Sequence, residues 1–534
     1  MSNKNTPLYI VTAMAIGVLI GSIFSPKKKE SSPALFSSER KALSEKTADV
    51  LSLIDSYYFD SVDGDSLLDI SLAAMLQGLD PHSSYISARD AQQYNSVLTG
   101  EFEGIGISFN VLNDTIVVIS VNAGGPSQKS GLLPGDKIIR VDTGNVAGVN
   151  IQNTEIISRL RGPKGTKVRV EISRAGVSHP LSFEIIRDKI PIHSVEVAYM
   201  LRPKIGYIQI ENFSNNTGRE FDAALQKLLS QGMEKLVLDL RGNSGGSLQT
   251  AVEVCDELLQ NRKMIVYTLG KSTGKQLFRA SSYGRFQDEG QEVVVLIDEW
   301  SASAAEIVAG AVQDQDRGII IGRRSFGKGL VQRSFTLKDS SEILLTVARY
   351  YTPTGRCIQK PFEDYDEEIV NRYLHGEMSH SDSIPIADSL KFKTPKGKTV
   401  YGGGGIIPDL FVPVDTSSDY IYFNQISRTG ILFKRAISFT DKNRESLTKY
   451  RSIEQFNSQF SVPDSEIEAM IGEGEEKGIG CQTLTSGAKI EMKKWFKAYV
   501  ARNLFGENGF YYLINRDDKV VQKALEILEK SSIK

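Results

Sequence analysis

The sequence predicts a multidomain protein in which a small β-rich domain precedes an α/β core, with helical regions at both ends of the chain. The chain of 534 residues is too long for one hydrophobic core. Glycine-punctuated strands fill residues 96–190. Strands then alternate with helices over residues 195–415, a pattern typical of a mostly parallel sheet covered by helices.

The composition excludes several kinds of protein. Apolar residues make up 40% and charged residues 24% of the chain, which is globular rather than disordered or polytopic membrane composition. The 63 Lys and Arg balance 65 Asp and Glu, so the chain lacks the basic excess that binds nucleic acid. The cysteines Cys255, Cys357 and Cys481 form no C-x-x-C pair, and no H-E-x-x-H motif is present. We therefore expect no nucleic-acid partner, no metal and no cofactor.

Residues 1–30 contain an apolar segment. The run from Leu8 to Phe24 carries no charge and reaches the short end of the roughly 17 to 25 residues that span a bilayer. No A-x-A cleavage site follows, so we interpret it as an uncleaved membrane anchor; a cleaved secretory signal is the alternative. The lysines at 27–29 favour a cytoplasmic body by the positive-inside rule, which conflicts with the location inferred below.

Residues 35–95 follow a helical pattern. Apolar side chains recur at spacings of three and four between Val50 and Tyr58, and again between Leu68 and Leu79. The Asp80-Pro81 pair then interrupts the pattern, because the residue before a proline disfavours helical backbone angles. This region is therefore predicted to be helical up to the proline.

The β-rich domain, residues 96–190, has a recognisable order of elements. We predict strands at Ile116–Val121, Lys137–Val141 and Val168–Ile172, and a short helix around Thr154–Arg161. This order resembles a PDZ domain of the bacterial protease type. The turn and strand Gly-Leu-Leu-Pro-Gly-Asp-Lys-Ile, residues 131–138, is the most specific part of the resemblance.

The resemblance implies a peptide-binding groove. The glycines of the first strand would let an extended ligand approach and pair with the strand, and side chains of the strand and helix would line a pocket. The alternative is that these are ordinary core residues of a small β domain. The predicted peptide-binding residues are Gly104, Ile105, Gly106, Ile107, Ile156 and Leu160.

The α/β core, residues 195–415, is predicted from alternating segments. The predicted strands are Ile205–Ile210, Lys235–Leu240, Val293–Ile297, Gly318–Ile321 and Ile343–Ala348. The predicted helices are Arg219–Gln231, Leu248–Gln260 and Ala304–Gln313. Residues 416–534 read mainly as helices, for example Lys489–Asn503 and Lys519–Lys530.

A glycine-rich turn follows the strand at Leu236–Leu240. Ser244 within it suggests a trypsin-like serine, but a trypsin-like triad needs a β-barrel and an upstream His and Asp. We instead expect the amides of Gly245 and Gly246, at a helix start, to suit an oxyanion hole. A tight loop without function is the alternative.

A second serine motif follows the apolar strand Val293–Ile297. Ser303 and Glu306 fit the S-x-x-E capping box, so a plain helix cap explains the pair when it is taken alone. A serine at a helix start is also where a nucleophile meets a positive dipole, and the Ala304 amide could supply another oxyanion donor.

Lys328 favours the catalytic interpretation. It lies between Gly327 and Gly329, without an acidic residue in its loop, and burial could lower its pKa enough for a general base. Gln332, four positions later, could orient the amine without fixing it as ammonium. The alternative is a solvent-exposed lysine in a glycine loop.

Together these motifs are similar to those of the carboxyl-terminal processing peptidases, or tail-specific proteases. The similarity rests on the Ser303 helix start, the Gly-Lys328-Gly-x-x-Gln332 motif, the run at 344–356 and the Gly-Gly-Ile-Ile-Pro-Asp motif at 404–409. The order of modules, including Asp-Pro-His-Ser-Ser-Tyr at 80–85, also matches over about residues 40–415. Trp300 and Ser244 depart from the usual pattern.

This resemblance implies a Ser/Lys dyad at Ser303 and Lys328, supported by Gln332, that hydrolyses peptide bonds near the carboxyl ends of unstructured or misfolded proteins. It implies protein substrates with exposed carboxyl-terminal tails, and an inner-membrane anchor with the catalytic body in the periplasm. Oligomerisation stays open. Two other functions also stay open, namely an inactive PDZ scaffold and a crotonase-type enzyme acting on acyl thioesters.

Overall fold

The computed structural model describes residues 38–111, 114–122, 124–174, 176–363, 365, 367–384 and 388–530. The predicted anchor, Leu8–Phe24, lies outside these ranges. Within them, no helix combines the length and apolar character needed to cross a bilayer. The domain boundaries inferred from sequence remain predictions.

The chain divides into two compact units, residues 1–75 and 76–534. From residue 38, the first unit contains helix α1 (Ser38–Tyr57) and most of α2 (Gly64–Gln77). The second unit continues with strand β1 (Ser84–Ile86) and helix α3 (Ala88–Thr99). Gly100, at φ 73°, ends α3 in the left-handed conformation that favours glycine.

The β-rich domain is built as the sequence predicts. Its elements are β2 (Glu101–Gly104), β3 (Ile107–Val111), β4 (Ile116–Val121), α4 (Pro126–Ser130), β5 (Lys137–Val141), β6 (Gly144–Asn145), α5 (Asn153–Leu160), β7 (Lys167–Ser173), β8 (Leu181–Ile186) and β9 (Asp188–Pro191). One antiparallel sheet has the order β3-β4-β5-β7-β8, with β6 beside β5, and β2 pairs separately with β9. Alternate residues of β7, such as Val168, Val170 and Ile172, point into the core.

The α/β core contains two sheets. Its elements are β10 (Val197–Arg202), β11 (Ile205–Gln209), α6 (Thr217–Ser230), β12 (Lys235–Asp239), α7 (Leu248–Leu258), β13 (Met264–Gly270), β14 (Gly274–Arg279), β15 (Glu292–Ile297), α8 (Ala304–Asp314), β16 (Ile319–Gly322), β17 (Leu330–Thr336), β18 (Glu342–Tyr351), α9 (Glu368–Leu374), β19 (Lys391–Lys393), β20 (Thr399–Tyr401) and β21 (Leu410–Phe411). The first sheet has the order β10-β11-β12-β15-β16-β21 and is parallel except for β10. Its strands β11 and β12 are buried along their whole length, as expected for a parallel sheet covered on both faces.

The strand predicted at Ile343–Ala348 does not belong to that parallel sheet. It forms β18 of a second, antiparallel sheet of order β1-β18-β13-β14, in which β17 also pairs with β18. The turn between β17 and β18 is too short for the crossover helix that a parallel pair requires, so the two strands form a hairpin.

Residues after 415 are helical, as predicted. The helices are α10 (Ser418–Arg428), α11 (Ile431–Lys442), α12 (Arg444–Leu447), α13 (Ile453–Gln459), α14 (Asp464–Glu476), α15 (Ser486–Ile514) and α16 (Lys519–Lys530). Helix α15 is interrupted at Gly506. Helices α6, α7 and α8 contribute to the core on one face of the parallel sheet, and α16 contributes to the core on the other.

Candidate active site

Ser303 occupies a strained turn between strand β15 and helix α8. Its φ of 54° and ψ of −110° are unusual for a residue with a side chain, and such outliers concentrate at functional sites. Gly245 lies directly against it, because a Cβ added to Gly245 would be 2.7 Å from the Ser303 Cβ. The two serine and glycine motifs of the sequence therefore meet in the fold.

A buried carboxylate joins the Ser303 turn to the Lys328 loop. Oε2 of Glu306 accepts hydrogen bonds from the backbone N–H of Ser303 at 2.8 Å and of Lys328 at 2.9 Å. Its Oε1 accepts the N–H of Gly327 at 2.7 Å and the hydroxyl of Ser325 at 2.5 Å. The backbones of Ser303 and Lys328 are therefore neighbours, held by one side chain.

The Tyr350 hydroxyl makes a second link between the same two residues. This phenol donates towards the carbonyl of Lys328 at 2.6 Å and that of Ser303 at 3.1 Å. Tyr350 is 1% exposed, and burial raises the pKa of its phenol well above the usual value, so it stays protonated. The backbone N–H groups of Ser303 and Lys328 are thus held by Glu306, and their carbonyls by Tyr350.

The Lys328 amine has a neutral hydrogen-bond partner. Its Nζ donates to Oε1 of Gln332 at 2.7 Å, as the four-residue spacing suggested. Burial lowers the pKa of Lys328, and the nearby carboxylates of Glu306 and Asp80 offset part of this effect. An amine in this setting loses its proton more readily than an exposed lysine does.

The three backbone N–H groups predicted to form an oxyanion hole differ in whether they already donate a hydrogen bond within the protein. The Gly245 N–H donates to Oδ1 of Asn243 at 2.8 Å, so the expectation of a free amide at Gly245 is wrong. Among the hydrogen bonds of the described residues, the N–H groups of Ala304 and Gly246 have no acceptor. Ser244, the serine set aside from the sequence, is exposed in the loop.

The predicted peptide groove of the β-rich domain needs two corrections. A cavity of about 250 Å³ is lined by Ile105, Gly106, Ile107 and Leu160 among the predicted residues, but not by Gly104 or Ile156. Ile156 is 1% exposed and belongs to the core, whereas Ile157 lines the cavity. Gly104 instead lies at the end of β2, paired with Asp188 of β9.

Sequence reasoning missed three groups at this site. The sequence indicates Glu306 only as half of a capping box, and nothing in the pattern around Tyr350 marks its hydroxyl. The turn at Asp80–Ser83 is recognisable in the sequence only as a helix breaker and a family motif, yet the carbonyl of His82 accepts a hydrogen bond from Nε2 of Gln332. The one available signal is that Glu306 is the single acid within the apolar run 304–312 of α8.

Three family models match the chain. The model of Peptidase family S41 matches residues 204–369, that of the PDZ domain matches residues 104–185, and that of a family of unknown function matches residues 422–506.

Curated relatives match over longer stretches. The carboxy-terminal-processing protease of Bartonella bacilliformis is 38% identical over 379 residues, which cover 70% of this chain and 84% of the relative. The carboxy-terminal processing protease CtpA of Bacillus subtilis is 35% identical over 308 residues, covering 58% of this chain and 65% of the relative. Among solved structures, the photosystem II D1 C-terminal processing protease aligns with 71% of this chain and 90% of its own, at 26% identity and a TM-score of 0.34.

Proposed function

The chain belongs to Peptidase family S41, as one of the carboxy-terminal processing serine proteases, and from this premise we propose that Ser303 and Lys328 form its catalytic dyad. Its substrates are unstructured or misfolded proteins, cleaved near their carboxyl ends. The PDZ domain receives the substrate tail, and Leu8–Phe24 tethers the catalytic body to the inner membrane with that body in the periplasm.

One observation carries the assignment of the dyad. The Glu306 carboxylate accepts the backbone N–H of both Ser303 and Lys328 through a single oxygen. A helix cap alone would explain the bond to Ser303 but not the bond to Lys328, which lies on a different loop. The arrangement supports a site that must hold these two residues together.

The proposed chemistry is acyl transfer. The neutral amine of Lys328 takes the Ser303 hydroxyl proton as the oxygen attacks the peptide carbonyl. The amides of Ala304 and Gly246 hold the oxyanion of the tetrahedral intermediate. Lys328 then gives the proton to the departing amine, and a water molecule hydrolyses the acyl-serine by the same route. Gln332 fixes the amine while leaving it uncharged.

The structure also supports the PDZ proposal. Strand β3 is the edge strand of its sheet, and within the described residues only β4 pairs with it. The cavity beside β3 is lined mainly by apolar side chains of β3 and α5. An extended peptide can therefore add to β3 by main-chain hydrogen bonds while its terminal side chain enters the cavity.

Two substitutions with matched controls test the dyad. We expect Ser303→Ala and Lys328→Ala each to lower kcat for an unstructured peptide by about 10³-fold or more, as removal of a nucleophile or base does. Ser244→Ala and Lys338→Ala change an exposed serine and an exposed lysine and should leave kcat within about twofold of wild type. In wild type, kcat/KM should rise with pH with a midpoint below the ordinary lysine pKa of 10.5.

The outcome separates the dyad from its alternatives. Unchanged hydrolysis in both dyad variants would reject the assignment. Absence of peptide hydrolysis in wild type would favour a PDZ scaffold, or a crotonase-type enzyme if acyl-CoA were turned over instead.

The proposed role of the PDZ domain predicts discrimination between chain ends. A peptide with a free carboxyl terminus should bind and be cleaved more efficiently than the same peptide with an amidated terminus, because the loop amides before β3 would bind the carboxylate. Equal kcat/KM for the two peptides would reject the PDZ domain as the receptor of the tail.

A further inference from the structure

The turn at Asp80–Ser83 is built around one carboxylate. Oδ1 of Asp80 accepts the N–H of His82 at 2.8 Å and of Ser83 at 2.9 Å, and Oδ2 accepts the Ser83 hydroxyl at 2.7 Å. Burial raises the pKa of Asp80, but the hydrogen bonds from Ser83, His82 and Thr346 outweigh it and hold the pKa below its usual value. The turn is therefore organised by a charged aspartate.

The same turn is attached to strand β18. The Thr346 hydroxyl donates to Oδ1 of Asp80 at 3.1 Å, and the Thr346 N–H donates to the Ser83 hydroxyl at 3.2 Å. Strand β1 then continues the attachment by pairing Ser84 with Leu344. Ser83 is 2% exposed, so these bonds form in a buried place where losing one is costly.

This attachment places the His82 carbonyl at Gln332. Thr346 is the cross-strand partner of Gln332 in the β17–β18 hairpin, so their side chains share one face of the sheet. The Gln332 side chain reaches across this face, and its Nε2 donates to the His82 carbonyl while its Oε1 accepts from Nζ of Lys328 at 2.7 Å. The imidazole of His82 lies apart from this bond, with its Nε2 2.5 Å from the hydroxyl of Tyr365.

We propose that the Asp80–Ser83 turn is a positioning element for the dyad, in which the His82 carbonyl fixes the orientation of the Gln332 amide so that its oxygen faces the Lys328 amine. A backbone carbonyl only accepts hydrogen bonds, so it must face the NH2 group of the amide, and the amide oxygen must then face the amine. This inference rests on the function proposed for Ser303 and Lys328 and adds a residue set that acts through Gln332.

The orientation matters for the chemistry. A neutral amine that donates one N–H to the Gln332 oxygen keeps its lone pair free for the Ser303 proton. A reversed amide would present N–H to the amine, and the lone pair would be used in accepting that hydrogen bond. The amine would then be held in place but unable to act as a base.

The first test substitutes the aspartate. We expect Asp80→Ala to lower kcat for an unstructured peptide by about tenfold or more with KM within about twofold, since the groups that contact substrate are unchanged. Asp80→Asn removes the charge but retains an oxygen acceptor for the turn, so it should keep most of kcat.

The matched control is Asp339→Ala. Asp339 forms the same kind of turn in the loop between β17 and β18, where its carboxylate accepts the N–H of Ser341 at 3.1 Å and the Ser341 hydroxyl at 2.7 Å. It should leave kcat unchanged.

A double substitution asks whether Asp80 acts through Gln332. If it does, Asp80→Ala combined with Gln332→Ala should have the kcat of Gln332→Ala alone, within about twofold. If the double variant instead loses kcat by the product of the two single-variant factors, the proposal is overturned. If Asp80→Ala does not fold, Ser83→Ala combined with Thr346→Val takes its place, because the pair removes both hydroxyls that join Asp80 to β18 and leaves the aspartate. An unchanged kcat in this double variant would then overturn the proposal.

A readout independent of hydrolysis separates this inference from the proposed function. The rate at which an amine-specific reagent labels Lys328, followed by mass spectrometry over a range of pH, reports the environment of the amine. We expect the pH midpoint of Lys328 labelling to move to lower pH in Asp80→Ala. It should move less in Asp80→Asn and not at all in Asp339→Ala. If wild type cleaves no peptide but the labelling follows this order, the proteolytic function fails and the positioning role stands. Both variants remove the Asp80 charge, which raises the pKa of Lys328, so only the difference between them reports the orientation of the Gln332 amide. Equal midpoints in Asp80→Ala and Asp80→Asn would overturn the positioning role.

Discussion

Glu306 illustrates how one buried acid organises this site. It is fully buried, and burial raises the pKa of its carboxyl to about 7 although four hydrogen-bond donors stabilise the charged form. A helix cap needs no such burial. Burying a carboxylate here costs desolvation free energy, and the hydrogen bonds that it gains fix the Ser303 turn against the Lys328 loop.

The raised pKa gives stability a predictable pH dependence. Glu306 binds its proton more tightly in the folded protein than in the unfolded chain, where the pKa of this glutamate lies near 4.5. The stabilisation that this one group contributes is therefore fully present below pH 4.5. Its contribution is lost as pH rises from 4.5 through about 7, and amounts to about 3 kcal/mol of unfolding free energy. Urea unfolding of wild type and Glu306→Gln across this range measures the difference.

We expect the slope due to Glu306 to be absent in Glu306→Gln. The variant should also lose at least about tenfold in kcat, because the amide NH2 group would face backbone N–H donors in place of an acceptor. A Glu306→Gln protein with wild-type kcat would show that the shared carboxylate does not position the dyad. The matched control is Glu299→Gln. Glu299 lies just before the Ser303 turn, but its carboxylate pairs with Arg323 and not with the backbone of either dyad residue.

Most elements of the fold could be predicted from periodicity, but the contacts between them could not. The strand at Lys235 and the helix at Lys519 begin where the sequence places them, because a buried strand and an amphipathic helix each leave a local pattern. The sheet to which β18 belongs depends on the length of the turn before it. The meeting of Gly245 with Ser303, and of His82 with Gln332, joins segments far apart in sequence, for which a single sequence carries no signal.

Helix α5 shows how an error of one residue changes a functional assignment. The sequence placed Ile156 in the peptide cavity, but its side chain is in the core and its neighbour Ile157 lines the cavity. Successive residues on a helix are rotated by about 100°, so the two side chains face different surroundings. The apolar pattern identified the helix correctly without distinguishing the core from the groove.

This difference gives a matched pair of substitutions. Ile157→Ala should weaken binding of a peptide with a free carboxyl terminus by about three- to tenfold, since methyl groups are lost from the cavity, and should leave stability nearly unchanged. Ile156→Ala should cost about 2–5 kcal/mol of stability, as truncation of a buried isoleucine does. Peptide titration by fluorescence anisotropy and urea unfolding distinguish the two. Equal effects of both variants on binding would place the peptide elsewhere.

At the scale of the whole molecule, the C-terminal helical region completes the protease core. Helix α16 buries Val521, Leu525 and Leu528 against the face of the parallel sheet opposite α6, α7 and α8. It is tied there by Asp518, whose carboxylate pairs with Arg241 at 2.9 Å just before the glycine turn of the candidate site. Without α16, apolar residues of β11, β12 and β15 would face water on one side of the sheet.

The catalytic core and α16 should therefore unfold together. Leu525→Ala removes a side chain that is 3% exposed and should cost about 2–5 kcal/mol, whereas Ile527→Ala, on the same helix but only partly buried, should cost less. Because the sheet that carries Ser303 loses its covering layer when α16 detaches, peptide hydrolysis should disappear at the same urea concentration as the circular dichroism signal in each protein. Loss of helical signal in Leu525→Ala at a urea concentration that leaves hydrolysis intact would instead make α16 an independent appendage. The shared transition is expected because α16 buries the back of the same strands, β12 and β15, whose ends carry the glycine turn and Ser303.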